Sequence, residues 1–312
     1  VRDQLRLRQR SRMQRGPQHA TPRSDRLERA MNPDPERPSY PPAHHLLRDL
    51  RIVVERQANE LTGRLDVMPA LADATGRPRV GVLATLVDVV AGEVAIRSVL
   101  PGWTATSDLN IHVDDLPTEG AIEATPRILR SGRQTVVVEV ALRSAADANQ
   151  LGVATVGFAI LQARSDEQKG GHWAESPEAR TEFALAGTLL KEPILDAVGL
   201  EFDSLNPAIA RIGVRPFVRN SLGALQGGAV AILLEAAAEN FAASSLEGAL
   251  QVRSLAIHYL KLARVGPVRA QSRVIARTRG GLLIRVELFD EGESEVLLTV
   301  ATIQVDQAPA LA

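Results

Sequence analysis

The stretch G-A-V-A-I-L-L-E-A-A-A-E-N-F-A-A-S-S, residues 228–245, decides the fold. It is long, free of proline and apolar nearly all round, so it reads as a helix buried on most of its faces. A second stretch of the same character, G-V-L-A-T-L-V-D-V-V-A-G-E-V-A-I-R-S, spans residues 81–98. Laid over each other at a shift of 147, the two runs place Asp88 on Glu235, an acid in the middle of each. The correspondence extends outward from there. Leu109-Asn110-Ile111-His112-Val113 falls on Leu255-Ala256-Ile257-His258-Tyr259, Gly120 on Gly266, Arg130 on Arg277 and Ala154-Thr155 on Ala301-Thr302, with small slips between them. Two copies at so long a period indicate a duplicated domain rather than a solenoid.

Each copy follows one plan. Irregular or strand-like segments come first, at 51–68 and 199–218. After the helix come alternating segments, at about 104–114, 120–130, 134–143 and 153–163, then at 250–262, 267–277, 282–289 and 296–305. One buried helix followed by antiparallel strands describes a sheet wrapped around a helix. The expected class is α+β, with two such units packed as an intramolecular pseudo-dimer. Matched positions for His112 and His258 read as packing. The units are placed at 44–164 and 185–307, joined by a linker at 165–184 that carries Lys169-Gly170-Gly171 and Ser176-Pro177. Residues 308–312 are a tail. Residues 1–43 are Arg- and Pro-rich and lack an apolar face, which predicts a disordered arm.

Composition excludes several classes. A chain of 312 residues that is 45% hydrophobic can build real cores, and aromatics at 3% leave Val, Ile, Leu and Ala to fill them. There is no cysteine, so disulfides, thiolate metal sites and a cysteine nucleophile are absent together. A net charge of −1 is not that of a nucleic-acid binder. No apolar run is long enough to span a membrane, and no secretory h-region is visible, so the expected location is cytoplasmic. No ligand set has zinc spacing, and no metal is expected. G-x-S-x-G is missing, which disfavours a serine hydrolase.

Asn220-Ser221-Leu222-Gly223-Ala224-Leu225-Gln226-Gly227-Gly228, followed by the apolar run to Glu235, resembles the signature of hotdog-fold acyl-CoA thioesterases of the phenylacetate-pathway type. That signature is an Asn, a His-Gly-Gly opening a helix, and an acid further along. Asn220 and Glu235 keep the Asn-to-acid spacing, and Gln226 stands where the family has His. In the first half Asp88 sits at the acid position. Thr106-Ser107-Asp108-Leu109-Asn110-Ile111 resembles the following strand, where a Ser or Thr assists. The counterparts of Asn220, Gln226 and Gly227 are Asp73, Arg79 and Val80. The resemblance implies tandem hotdog units, an acyl-CoA substrate cleaved to free acid and coenzyme A, and no cofactor. In the family, basic turns between strands lie near the nucleotide and phosphates of coenzyme A. This makes Arg130, Arg133, Arg277 and Arg279, with Gly228, the candidate coenzyme A contacts.

Thioester hydrolysis needs an oxyanion hole and a base or nucleophile. A helix N-terminus supplies free N–H groups and a positive dipole end, and glycine at 227 and 228 lets a carbonyl come close. The acid at 235, however, lies eight residues further along the same helix, about 12 Å away. The acid must therefore come from an antiparallel neighbour. Gly227 should face Asp88, and Val80–Gly81 should face Glu235. The complete set is Asn220, Gln226 and Gly227 with Asp88 and Thr106. The reciprocal set of Glu235 with Asp73, Arg79 and Val80 looks degenerate. Asp88 as general base and Asp88 as nucleophile both stay open, as does a homodimer of such chains. The rival reading is a non-catalytic acyl-CoA-binding or scaffold protein. A hotdog dehydratase is disfavoured by the spacing of Asp108 and His112.

Overall fold

In the computed structural model, residues 40–58, 60–162 and 178–308 are described. The expected arm lies outside them for residues 1–39, and the expected linker for residues 165–177. Two long helices, α1 (Val80–Val99) and α2 (Gly227–Ala243), form the centre. Leu83, Leu86, Val87 and Val90 of α1 and Leu233 and Leu234 of α2 are fully buried. Each such side chain contributes roughly 1.5–3 kcal/mol by leaving water. This burial, more than helix propensity, holds both helices. Pro101 follows the end of α1 and cannot continue the helical ladder.

Thirteen strands among the described residues make one antiparallel sheet. They are β1 (Val53–Gln57), β2 (Glu60–Asp66), β3 (Trp103–Val113), β4 (Ala121–Ser131), β5 (Thr135–Ser144), β6 (Gln150–Leu161), β7 (Glu178–Glu182), β8 (Leu200–Phe202), β9 (Ile209–Ile212), β10 (Leu250–Tyr259), β11 (Val268–Arg277), β12 (Gly281–Asp290) and β13 (Val296–Gln307). Their order, β7-β1-β2-β4-β5-β6-β3-β10-β13-β12-β11-β9-β8, reads alike for six strands outward on each side of the β3–β10 seam, and β7 extends one edge alone. At that seam Asp108 pairs with His258 and His112 with Ser254.

The alternation of buried and exposed residues along β3 and β10 corrects one expectation. Leu109, Ile111, Leu255 and Ile257 point inward, and His112 and His258 are exposed. The two histidines are matched because the strands are matched, not because they pack in the core.

The chain's edges differ from the expected boundaries too. Residues 178–182, read as linker, form β7 and pair with β1 from Val53–Glu182 to Gln57–Glu178. Arg180 lies against Glu55 and Glu182, and such charges suit an exposed edge strand. At the other boundary the packed chain already includes Pro41, which is buried. Arg48 donates to the carbonyls of Pro41, Pro42 and Phe183, tying this segment down.

Candidate active site

The two helices run antiparallel and cross closely at two equivalent points. A Cβ on Gly81 would lie 2.7 Å from the Ile232 backbone, and one on Gly228 would overlap the Thr85 side chain. Gly81 and Gly228 are each other's repeat counterparts, so both copies keep this glycine for helix packing. Gly228, expected to touch coenzyme A, is placed against Thr85 instead. Gly227 is different, because its counterpart is Val80.

The antiparallel crossing brings the acids to the opposite helix ends. At one end, Asp88 meets Gly227: a Cβ at 227 would lie 3.3 Å from Asp88 Oδ2 and 3.7 Å from Tyr259 Oη. Thr106 Oγ1 donates to Asp88 Oδ1 at 2.8 Å. The Gly227 and Gly228 N–H groups have no protein acceptor among the described residues, so this helix end is open. Burial raises the Asp88 pKa, and the Thr106 hydrogen bond partly offsets that.

At the other end, Glu235 does what Asp88 does not. Its Oε1 accepts from the Val80 N–H at 2.7 Å and its Oε2 from the Gly81 N–H at 2.8 Å. Arg79, the N-cap of α1, makes no side-chain cap there, so Glu235 satisfies donors that would otherwise be orphaned. The one extra methylene of Glu over Asp lets the carboxylate occupy the place a thioester oxygen would need. Val80, 2% exposed, fills the space that Gly227 leaves empty at its own end. Arg79 pairs with Glu239 at 2.5 Å beside it. Burial, then the neighbouring Glu239, push Glu235 up to about 8, against the pull of Arg79 and the two N–H groups. Burial also raises the Glu239 pKa, against the pull of Arg79, whose guanidinium stays charged between the two carboxyl groups.

The remaining expected residues divide. Asn220 turns into its own loop, where its Oδ1 accepts from the Leu222 N–H at 2.9 Å and the Ala224 N–H at 3.0 Å. Asp73 holds the matching turn through the Thr75 and Arg77 N–H groups. Asn220 and Asp73 therefore shape equivalent loops, and the first-half loop is intact at this position. Gln226 is the N-cap of α2, its Oε1 accepting from the Ala229 N–H at 3.2 Å. A capping amide is not a proton acceptor for catalysis.

The four arginines do not converge on one site. Along the ladders, Thr106 pairs with Phe158, and Phe158 with Val136. The β4–β5 hairpin with Arg130 and Arg133 therefore lies at the Asp88 end of the sheet. The β11–β12 hairpin with Arg277 and Arg279 is level instead with Val305 and Val252, remote along β10 from Tyr259. All four arginines are exposed.

Two tyrosines escaped the sequence reading. Tyr259 ends β10 and donates to the Gly227 carbonyl at 3.4 Å. Tyr40 stacks edge-on against His45, whose Nε2 bonds the Arg219 carbonyl at 2.7 Å, just before the Asn220 loop. Burial first, and the charge of Asp88 second, hold both phenols protonated. For Tyr259 a signal was present: its repeat counterpart is Val113, a polar-for-apolar mismatch inside an otherwise matched strand.

The family model "Thioesterase superfamily" matches residues 222–297. No curated protein matches the sequence. Among solved structures, the tesB protein of Mycobacterium avium subs paratuberculosis is similar over 80% of this chain and 93% of its own, at 15% identity and TM-score 0.55. The 12:0-ACP thioesterase from Umbellularia californica is similar over 82% of this chain and 94% of its own, at 12% identity and TM-score 0.54. At these identities the structures speak to fold, which is the hotdog fold. The matched segment of sequence points to its thioesterase superfamily.

Proposed function

We propose that this chain, whose segment 222–297 matches the thioesterase superfamily, is a thioester hydrolase with one working site. Its architecture is read as two tandem hotdog units packed as an intramolecular pseudo-dimer. The observation that carries the proposal is the asymmetry of the two helix ends. Asp88, oriented by Thr106, faces free N–H groups at Gly227 and Gly228, and Glu235 covers the equivalent pair at Val80 and Gly81.

In the open site the thioester carbonyl oxygen accepts from the Gly227 and Gly228 N–H groups, which stabilise the charge that develops during attack. Asp88 stands beside the carbonyl carbon with one oxygen held by Thr106 and the other free. Its raised pKa makes it a better proton acceptor than an ordinary carboxylate. Water bonds to the carbonyl carbon as its proton passes to Asp88, the C–S bond breaks, the free acid leaves, and the proton passes on to the departing sulfur. The carrier proposed is coenzyme A, and its phosphates would meet Arg130 and Arg133, which are exposed on the hairpin at this end of the sheet. Arg277 and Arg279 belong to the closed end and are left out of this site.

The test is a panel of acyl-CoA and acyl-carrier-protein thioesters of varied acyl length, with free thiol detected and EDTA present. Release of thiol from at least one acyl-CoA is expected. Silence across the panel, with tight binding of the same thioesters, would support a non-catalytic acyl-CoA binder instead.

A further inference from the structure

We infer that Tyr259 positions the attacking water, fixing it between its own hydroxyl and Asp88. The inference rests on the hydrolase reading and adds a residue to it. Three observations lead here. The point where residue 227 lacks a Cβ lies 3.3 Å from Asp88 Oδ2 and 3.7 Å from Tyr259 Oη, so a carboxylate and a phenol border one small space. Asp88 Oδ1 is taken by Thr106, which leaves Oδ2 for that space. The phenol is also confined to the open end: Val113 holds its repeat position in the first half, where Glu235 has closed the helix terminus.

The hydrogen-bond polarity is consistent. The Tyr259 O–H points to the Gly227 carbonyl, so the phenol oxygen has lone pairs to offer. A water between the two residues would give one hydrogen to Asp88 Oδ2 and the other to Tyr259 Oη. Its own lone pair is then directed away from both, toward a carbonyl carbon held at the Gly227 and Gly228 N–H groups. Water oxygen bonds to that carbon as Asp88 takes the proton. The C–S bond then breaks, and Asp88 returns the proton to the departing sulfur. Burial keeps Tyr259 a neutral phenol throughout the working range.

The experiment is Tyr259→Phe in the full chain, with an acyl-CoA that the wild type cleaves. Losing one positioned hydrogen bond to the water should lower kcat on the order of tenfold. KM, the Kd of a non-hydrolysable thioether analogue and the Tm should stay at wild-type values. An unchanged kcat overturns the inference. So does a fall in kcat matched by weaker analogue binding and lower Tm, the pattern of a packing residue. An inactive wild type would remove the hydrolase reading and this inference together, and an active wild type with a fully active Tyr259→Phe removes the inference alone.

Discussion

Replacing Asp88 by Glu keeps the charge and adds one methylene, about 1.5 Å of reach. In most acid-dependent sites this is the mildest change available. Here the second helix end shows what the longer acid does. Glu235, at the equivalent place, puts both oxygens on the Val80 and Gly81 N–H groups at 2.7 and 2.8 Å. The helix crossing that sets these distances is the same at both ends, through Gly81 against Ile232 and Gly228 against Thr85. A glutamate at 88 should therefore fold onto the Gly227 and Gly228 N–H groups and occupy the oxyanion hole. Each charge-assisted hydrogen bond of this kind is worth about 1.5–3 kcal/mol. A substrate carbonyl that must displace two of them loses at least about a hundredfold in kcat/KM, at 1.4 kcal/mol per decade. Asp88→Glu should thus be nearly inactive in a thiol-release assay, and at least as heat-stable as the wild type by circular dichroism. Activity within about threefold of wild type would refute the reasoning, because the acid would then not reach the helix end.

Two more outcomes follow from the same geometry. Thr106→Val removes the hydrogen bond that lowers the Asp88 pKa. Because the base must be ionised to act, the acidic limb of the kcat/KM profile should move to higher pH, and an unmoved limb would detach Thr106 from the acid. Glu235→Asp shortens the carboxylate that caps α1 and strands two buried N–H groups, at about 1–3 kcal/mol each. It should lower the Tm by several degrees with kcat little changed, and an unchanged Tm would show that the capping bonds do not matter.

Much of this was legible in the chain because a repeat shows itself twice. Both helices, their eight following strands and the opposed acids could be read from apolar runs and matched segments. That Gly227 should face Asp88 followed from helix rise taken together with the repeat and the family signature, and the two lie side by side. What escaped depended on ångström-scale reach. Asp88 and Glu235 look alike as repeat acids, and only packed distances show that one leaves a helix end open and the other seals it. Asn220 carried the family spacing, yet its short amide satisfies its own turn, as Asp73 does in the other half. Gly228 was expected to touch coenzyme A, but its lack of a side chain serves the helix contact with Thr85, as Gly81 serves the one with Ile232. Strand β7 has no apolar alternation because it is a charged edge, so periodicity could not find it.

The most direct measurement is kcat/KM for acyl-CoA hydrolysis by Asp88→Asn and Glu235→Gln side by side, each first shown to be folded. A single working site between Asp88 and Gly227 predicts a loss on the order of a hundredfold or more for Asp88→Asn, with Glu235→Gln within a few-fold of wild type. A dead Glu235→Gln beside an active Asp88→Asn would place the chemistry at the end read here as closed.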